Sequence, residues 1–440
     1  MNKTAFTLQH ASLLIATGCL SPLAQADFIS DSHATLALRN LYFNSDNRDG
    51  AAAPSKTEEW AQGFLLNYTS GYTAGTVGFG LDAMGLLGLT LDSGAGRHVG
   101  STMIPSSGDG AADQWASAGA TAKIRMSNTE LKYGTLLPKI PVLMSSDGRL
   151  LPQSFQGGQV QFKEIDNLTF VGGALEHATG RGSTDRTGLA VPGGTQASNK
   201  FYYAGADYKA TPALTLQYYV GNLDDYYTQH FAGLTHVWAL NDISSLSSDL
   251  RYFRTLSSGA NGSSAGRADG YRTTGYTSGQ DGEIDNSLWS AAFTYKLGGH
   301  AATLGFQSLS DGSNFMQLNQ GNLPDKGAGG SSLYLWTDRL LMSFNRAGER
   351  TAFGQYLYDF AAMGVPGLKA SVIYLNGQGI RTQNAGDQSE WERDISLDYV
   401  IQSGTFKGVA LAWRNGMSRS QATRDGDQNR LIVSYTLALF

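Results

Sequence analysis

The 440-residue sequence contains a single cysteine, Cys19. One thiol excludes an intramolecular disulfide framework and a cysteine-built zinc cluster. Charge is also sparse: 16% of residues are Asp, Glu, Lys or Arg, against about 25% in ordinary soluble domains. The balance is slightly acidic, 32 basic against 37 acidic, which excludes a generally basic nucleic-acid binder while leaving local concentrations of positive charge open. Ala- and Leu-rich stretches with a 3.6-residue period are missing, as is any apolar run long enough for a membrane-crossing helix. What is plentiful is glycine, at 55 residues, and aromatic side chains, at 11%. That composition suits strands joined by tight turns.

The N-terminus has the form of an export signal. Lys3 supplies the positive start, residues 11 to 20 are apolar, and Ala24-Gln25-Ala26 is a small-x-small cleavage site. Residues 1–26 are expected to be removed, leaving Asp27 first and residues 27–440 as the mature domain. Cys19 sits in "ATGC", where Ala16 occupies a position that lipidation signals fill with a larger aliphatic residue. An exported chain without helical spans belongs in the periplasm, outside the cell or in the outer membrane.

Alternation recurs along most of the chain. In "GATAKIRMS" a strand would place Ala120, Ala122, Ile124 and Met126 on one face and Thr121, Lys123, Arg125 and Ser127 on the other. "VALAWRN" sets Val409, Leu411 and Trp413 against Ala410, Ala412 and Arg414. "RLIVSYTLALF" sets Leu431, Val433, Tyr435, Leu437 and Leu439 against Arg430, Ile432, Ser434, Thr436 and Ala438. A soluble sandwich turns its bulky face inward and its polar face to water. Here the small-and-cationic face reads as a wet wall and the bulky face as lipid-contacting. Cations facing lipid at midplane cost about 2–4 kcal/mol each, so a barrel must turn them into its lumen. The fold class expected is all-β, a transmembrane antiparallel β-barrel.

Short turns alternate with longer polar loops at 44–58, 92–113, 178–199, 256–286, 310–331, 376–391 and 417–429. Short turns at one end and long loops at the other is the plan of outer-membrane barrels. The mature 414 residues, at about 23 per strand with its connection, allow roughly 16 to 20 strands, enough to enclose an aqueous channel. One connection, residues 135–158, is unusually apolar and carries three prolines. Leu136, Leu137, Ile140, Val142, Leu143, Met144, Leu150 and Leu151 suit a segment folded into the barrel and packed on its wall, where irregular backbone is tolerated. Such a loop would narrow the bore and present Asp147 and Arg149 to it.

With "DFISDSHATLALRNLYF", "EEWAQGF", "GFGLDAMGLLGLTLDSG", "AKIRMS", "GRLLPQSFQGG", "SDLRYF", "AMGVPGL", "EWERD", "YVIQSGTFKG" and "NRLIVSYTLALF" in this order, the chain resembles the OprD-type outer-membrane carboxylate channels of Gram-negative bacteria. "EEWAQGF" and "EWERD" are most similar to the branch favouring cyclic and aromatic carboxylates over the one favouring basic amino acids and peptides. The resemblance implies a barrel of 18 strands, monomeric or loosely trimeric, in outer-membrane lipid and lipopolysaccharide, with small anionic substrates and no cofactor. It implies a basic ladder, here Arg39, Lys123, Arg125, Arg149, Arg251, Arg414 and Arg430. It also implies a constriction of Asp147, Arg149, Asp311 and Phe315, the last two from "SDGSNFMQ". A C-terminal Phe440 implies recognition by the barrel-assembly machinery. Ile373 and Ala412 stand where such relatives often carry arginine, so the ladder here is thinner.

A barrel enzyme would need a nucleophile with a base in reach. The histidines after the signal, His33, His98, His177, His230, His236 and His300, are scattered along the sequence, and no G-x-S-x-G elbow occurs. "GTVGFG" and "GAGRHVG" carry glycines without the strand–helix context of a phosphate site. The expectation is therefore a channel, not an enzyme.

Overall fold

The computed structural model describes residues 28–48, 55–94, 96–98, 103–319, 323, 332–383 and 385–440; the expected signal, residues 1–26, lies outside them. Among the described residues, eighteen long strands form one closed antiparallel barrel. They are β1 (His33–Asn47), β2 (Lys56–Thr69), β3 (Val77–Asp92), β4 (Gln114–Met126), β5 (Thr129–Leu136), β6 (Ser154–Phe162), β7 (Leu168–Thr179), β8 (Phe201–Thr211) and β9 (Leu214–Leu223). The second half comprises β10 (Tyr227–Asn241), β11 (Ser244–Ser257), β12 (Asp285–Leu297), β13 (His300–Leu309), β14 (Arg350–Asp359), β15 (Leu368–Ile380), β16 (Gln388–Val400), β17 (Ala410–Ser420) and β18 (Gly426–Ala438). Each strand pairs with the next, and β1 closes on β18 in register from Thr35↔Ala438 to Asn47↔Gly426. Closure leaves no strand edge unpaired, which the bilayer requires.

The parity of side chains follows the pleat. On β4 Lys123 is 4% exposed while its neighbour Ile124 is 37% exposed on the outer surface. Phe79, Leu81, Leu304, Leu411, Trp413, Leu431 and Val433 likewise stand out from the wall. The two cations of the "AKIRMS" stretch therefore share the wet face. Strand ends extend into the polar stretches at 376–391 and 417–429, since the pairing of β15–β16 and β17–β18 continues through them.

The interior is partly filled. Long connections at the end away from both termini fold back and pack on the inner wall. The 137–153 connection carries a small hairpin, Lys139–Ile140 against Leu143–Met144. Its ends are shorter than the expected 135–158, because Thr135 and Leu136 pair with Gln156 and Phe155 as wall strands. Val142 lies against Gly221 of β9 and Leu150 against Gly63 of β2; a Cβ at either glycine would stand 3.1 Å from the loop side chain. The missing side chains let the loop seat on the wall. Ile140, Val142, Leu143, Leu150 and Leu151 are buried, each contributing roughly 1.5–3 kcal/mol. Leu137 departs from the expectation: it is 42% exposed, bordering a cleft of about 250 Å³ with Met84, Thr121 and Lys132.

The next inward segment is longer than its polar part suggests. The connection after β13 continues to Glu349, just before β14 begins at Arg350. Trp336, Leu341, Met342 and Phe344 of this stretch pack on Ala292, Phe353, Ile373 and Leu375 of the wall.

Phe440 lies just past the last strand residue. Its carbonyl accepts from the Ala34 amide at 3.1 Å, and its ring stands 6.4 Å from that of Tyr68, 69% exposed. The parity conflict of a lumen-facing terminal ring does not arise, because the side chain is outside the ladder. Deleting Phe440 is expected to lower the yield of folded barrels in the membrane while leaving their conductance unchanged; normal yield on immunoblots of outer-membrane fractions would remove that role.

Candidate functional site

The two inward loops meet at the wall formed by β18 and β1. Arg430 of β18 donates to the Gly148 carbonyl at 3.1 Å and to the Leu340 carbonyl at 3.0 Å, with its Nε on Gln428. One guanidinium thus ties the tip of the 137–153 loop to the 310–349 segment. Arg39 of β1 reaches the same tip, donating to Asp147 at 2.8 Å and to the Arg149 carbonyl at 2.8 Å. Between the loops, Ser332 donates to Ser146.

Other wall groups hold the second segment. Glu392 of β16, fully buried, accepts from the Leu341 and Met342 amides at 3.0 and 2.8 Å. Arg251 of β11 is gripped by Asp249 through two hydrogen bonds, of 2.8 and 2.7 Å, and donates to the Tyr334 carbonyl at 3.0 Å. It also lies over the Tyr334 ring.

The seven ladder candidates therefore separate. Arg39, Lys123, Arg251 and Arg414 each have an acid: Asp147, Asp82, Asp249 and Asp398. Arg125 lies over the Tyr72 ring at 4.1 Å. Arg149 and Arg430 have no carboxylate partner among the described residues, and neither does Arg181, a residue of the 178–199 stretch that reads in sequence as solvated loop. Arg181 donates to Ser146 at 2.9 Å. Its only sequence signal is an arginine next to glycines in a polar stretch, which a solvated loop carries equally well.

Arg149 senses the charges of Arg430 and Arg181. Burial, then the charges of Arg430 and Arg181, push the Arg149 guanidinium well below its usual pKa, with Glu59 acting the other way. Burial also brings Arg181 down to about 10, with Asp338 acting the other way, and it is still charged at neutral pH. Arg149 donates only within its own loop, to the Gly148 carbonyl, and its Nε is buried without a partner. Like charges gathered out of water are relieved by an anion that can accept from several of them.

The other constriction candidates lie elsewhere. Phe315 is fully buried, edge-on to Phe253 at 5.0 Å between ring centroids; its ring packs in the wall and offers no surface to the bore. Asp311 is exposed at the outer end of β13. Ile373 is covered by the second segment and is 5% exposed. Among the described residues no cluster of His, Cys, Asp and Glu could hold a metal ion.

A closed barrel of eighteen strands with inward loops and a lumen lined by arginines has close relatives. Residues 26–439 match the family described as outer membrane porin, OprD family. The chain belongs to the OprD family of outer-membrane porins. The porin is 34% identical over 442 residues to the porin-like protein GalP of Pseudomonas putida, covering 99% of each chain. It is similar to the crystal structure of Pseudomonas aeruginosa OccK8 (OprE), with 52% identity and a TM-score of 0.87 over 94% of this chain and 100% of that one. The Pseudomonas aeruginosa OpdK structure with vanillate matches at 36% identity and a TM-score of 0.82, covering 93% of this chain and 100% of that one. The porin is thus an outer-membrane protein whose family forms substrate-specific channels.

Among its ladder positions, Lys123 serves the wall. Its ammonium binds Asp82 at 2.6 Å and the Ser70 carbonyl at 2.8 Å, nearly out of solvent. Lys123→Met is expected to lower resistance to denaturant by about 1–3 kcal/mol, because Asp82 loses its partner, with little change in anion preference. Unfolding followed by tryptophan fluorescence and reversal potentials measured on the same variant check both halves.

Proposed function

We propose that this porin passes small carboxylates across the outer membrane by passive diffusion, cyclic and aromatic acids foremost. The observation that supports it is the Arg149, Arg181 and Arg430 group at the junction of the two inward loops, without carboxylate partners among the described residues. Planar guanidinium forks match a carboxylate, and water competes for each contact, so an acid can enter and leave. Arg39 and Arg414 are paired with Asp147 and Asp398 and leave this group as the concentration of unpaired positive charge among the described residues. Vanillate, an aromatic carboxylate, is the molecule in the OpdK structure, which fits the same class.

Passage of basic amino acids is the other reading within the family. It would call for acids free to accept a cation; Asp147 is engaged by Arg39, Asp398 by Arg414 and Glu392 by backbone amides, while Asp394 faces the cations Arg339 and Arg430. Liposome swelling with benzoate-like acids, linear dicarboxylates, arginine and neutral sugars tests the proposal. Benzoate-like acids are expected to enter fastest; faster entry of arginine would overturn the assignment.

A further inference from the structure

The fold brings Glu59 of β2 to His98 and Ser106, which lie 8 residues apart after β3. Glu59 on the inner face of β2 is fully buried. His98, in the connection after β3, places Nδ1 2.8 Å from Glu59 Oε1 and Nε2 2.8 Å from the Ser106 hydroxyl. The His98 side chain is 5% exposed, whereas Ser106 is exposed at the outer mouth of the barrel. A buried carboxylate accepting from Nδ1–H sets the tautomer, leaving Nε2 with the lone pair that receives the serine proton. Carboxylate, imidazole and hydroxyl then stand in the order of a serine-nucleophile triad.

The hydroxyl-bearing side of this arrangement is paired and packed. Ser106 and Ser107 pair with Ala111 and Gly110 in a two-stranded hairpin. The hairpin is tied to β3 by Thr90, whose amide donates to the Asp113 carbonyl at 2.9 Å and whose hydroxyl donates to Ala112 at 2.6 Å. Met103 and Ile104, just before the hairpin, are fully buried against Trp115 and the wall. A clasp holding the loop would need only the Glu59–His98 pair. The third member, an exposed hydroxyl aimed at the free imidazole nitrogen, is what makes the arrangement chemically competent.

We propose that Ser106 is an activated nucleophile that takes an acyl group from small carboxylic esters reaching the outer mouth. The serine Oγ bonds to the acyl carbon while its proton passes to His98 Nε2. The ester C–O bond breaks and the leaving alkoxide departs with that proton as an alcohol. Water repeats the sequence, releasing the carboxylic acid and restoring Ser106. No oxidant or cofactor enters the balance.

The test uses the purified full-length barrel in detergent, with a small fluorophosphonate and then p-nitrophenyl acetate. Peptide mass spectrometry is expected to place the phosphonyl adduct on Ser106 and not on the adjacent, equally exposed Ser107. His98→Ala is expected to slow labelling about 100-fold, within the range of general-base assistance, and Glu59→Gln to slow it less. Ser106→Ala is expected to abolish both the adduct and the p-nitrophenol release above buffer. Gel mobility with and without heating verifies that each variant is a closed barrel. Absence of a Ser106 adduct on folded wild-type barrels, equal labelling of Ser106 and Ser107, or an unchanged rate in folded His98→Ala barrels would overturn the proposal and leave His98 as a loop clasp.

Discussion

Arg149→Ala is expected to reduce uptake of a small aromatic acid roughly 10- to 100-fold at subsaturating concentration, the equivalent of one charge-assisted hydrogen bond. The same variant is expected to lower anion preference in single-channel recordings. The reasoning is local. Arg149 has no carboxylate partner among the described residues and donates only to Gly148 in its own loop, so its removal breaks no hydrogen bond between the loop and the wall and costs only the stacking of its guanidinium on the Phe43 ring of β1. Leu150 and Leu151, buried beside it, keep the loop seated, as does the bond from Arg39 to Asp147. Arg149→Lys is expected to restore much of the anion preference but less of the uptake, since an ammonium keeps the charge and loses the planar fork. Unchanged current and uptake in Arg149→Ala would strip the residue of its role.

Glu392→Ala is expected to raise single-channel conductance and current noise. Two buried amides, of Leu341 and Met342, lose their acceptors, at a cost of roughly 1–3 kcal/mol each. The 340–342 stretch is then held by Arg430 on the Leu340 carbonyl and by packing of Met342 and Phe344 on the wall. Ties further along the segment survive, including Gln307 to the Phe344 carbonyl and Arg251 to the Tyr334 carbonyl. The expected result is local loosening, not ejection of the segment. Glu392→Gln retains one acceptor oxygen and should fall between. Wild-type conductance in folded Glu392→Ala barrels would mean that packing alone positions the segment.

Glu392 marks a boundary of what sequence shows. Its inward parity and its place among wall acids are visible from "EWERD", and a partnership with a lumen arginine is the natural expectation. The structure gives it backbone amides of a segment about fifty residues earlier. The apolar 135–158 connection, by contrast, announces its inward course through its eight large apolar side chains, most of which the structure buries against the wall. The 332–349 stretch is equally apolar, but "SLYLWTDRLLMSF" reads as well for wall as for a packed loop. Only Arg350 beginning the next strand decides between them.

The cations show the same division. Alternation alone puts Lys123, Arg39, Arg414 and Arg430 on the wet face, because a side-chain period of two is a local property and lipid penalises the wrong phase. Whether each stays available depends on acids that approach from other strands: Asp82 from β3, Asp147 from a loop, Asp398 from β16. Arg181 joins Arg149 and Arg430 by the folding of a loop whose composition is that of a solvated one. His98 meets Glu59 and Ser106 in the same way.

Alternation and apolar content act through near neighbours and the bilayer, so they specify a barrel, its lipid-facing parity and one inward loop without reference to distant residues. Tertiary structure alone decided which cations are neutralised, what anchors the second inward segment and which histidine finds a hydroxyl. Most of those outcomes join residues tens to hundreds of positions apart, which closure of the eighteen-stranded wall brings together.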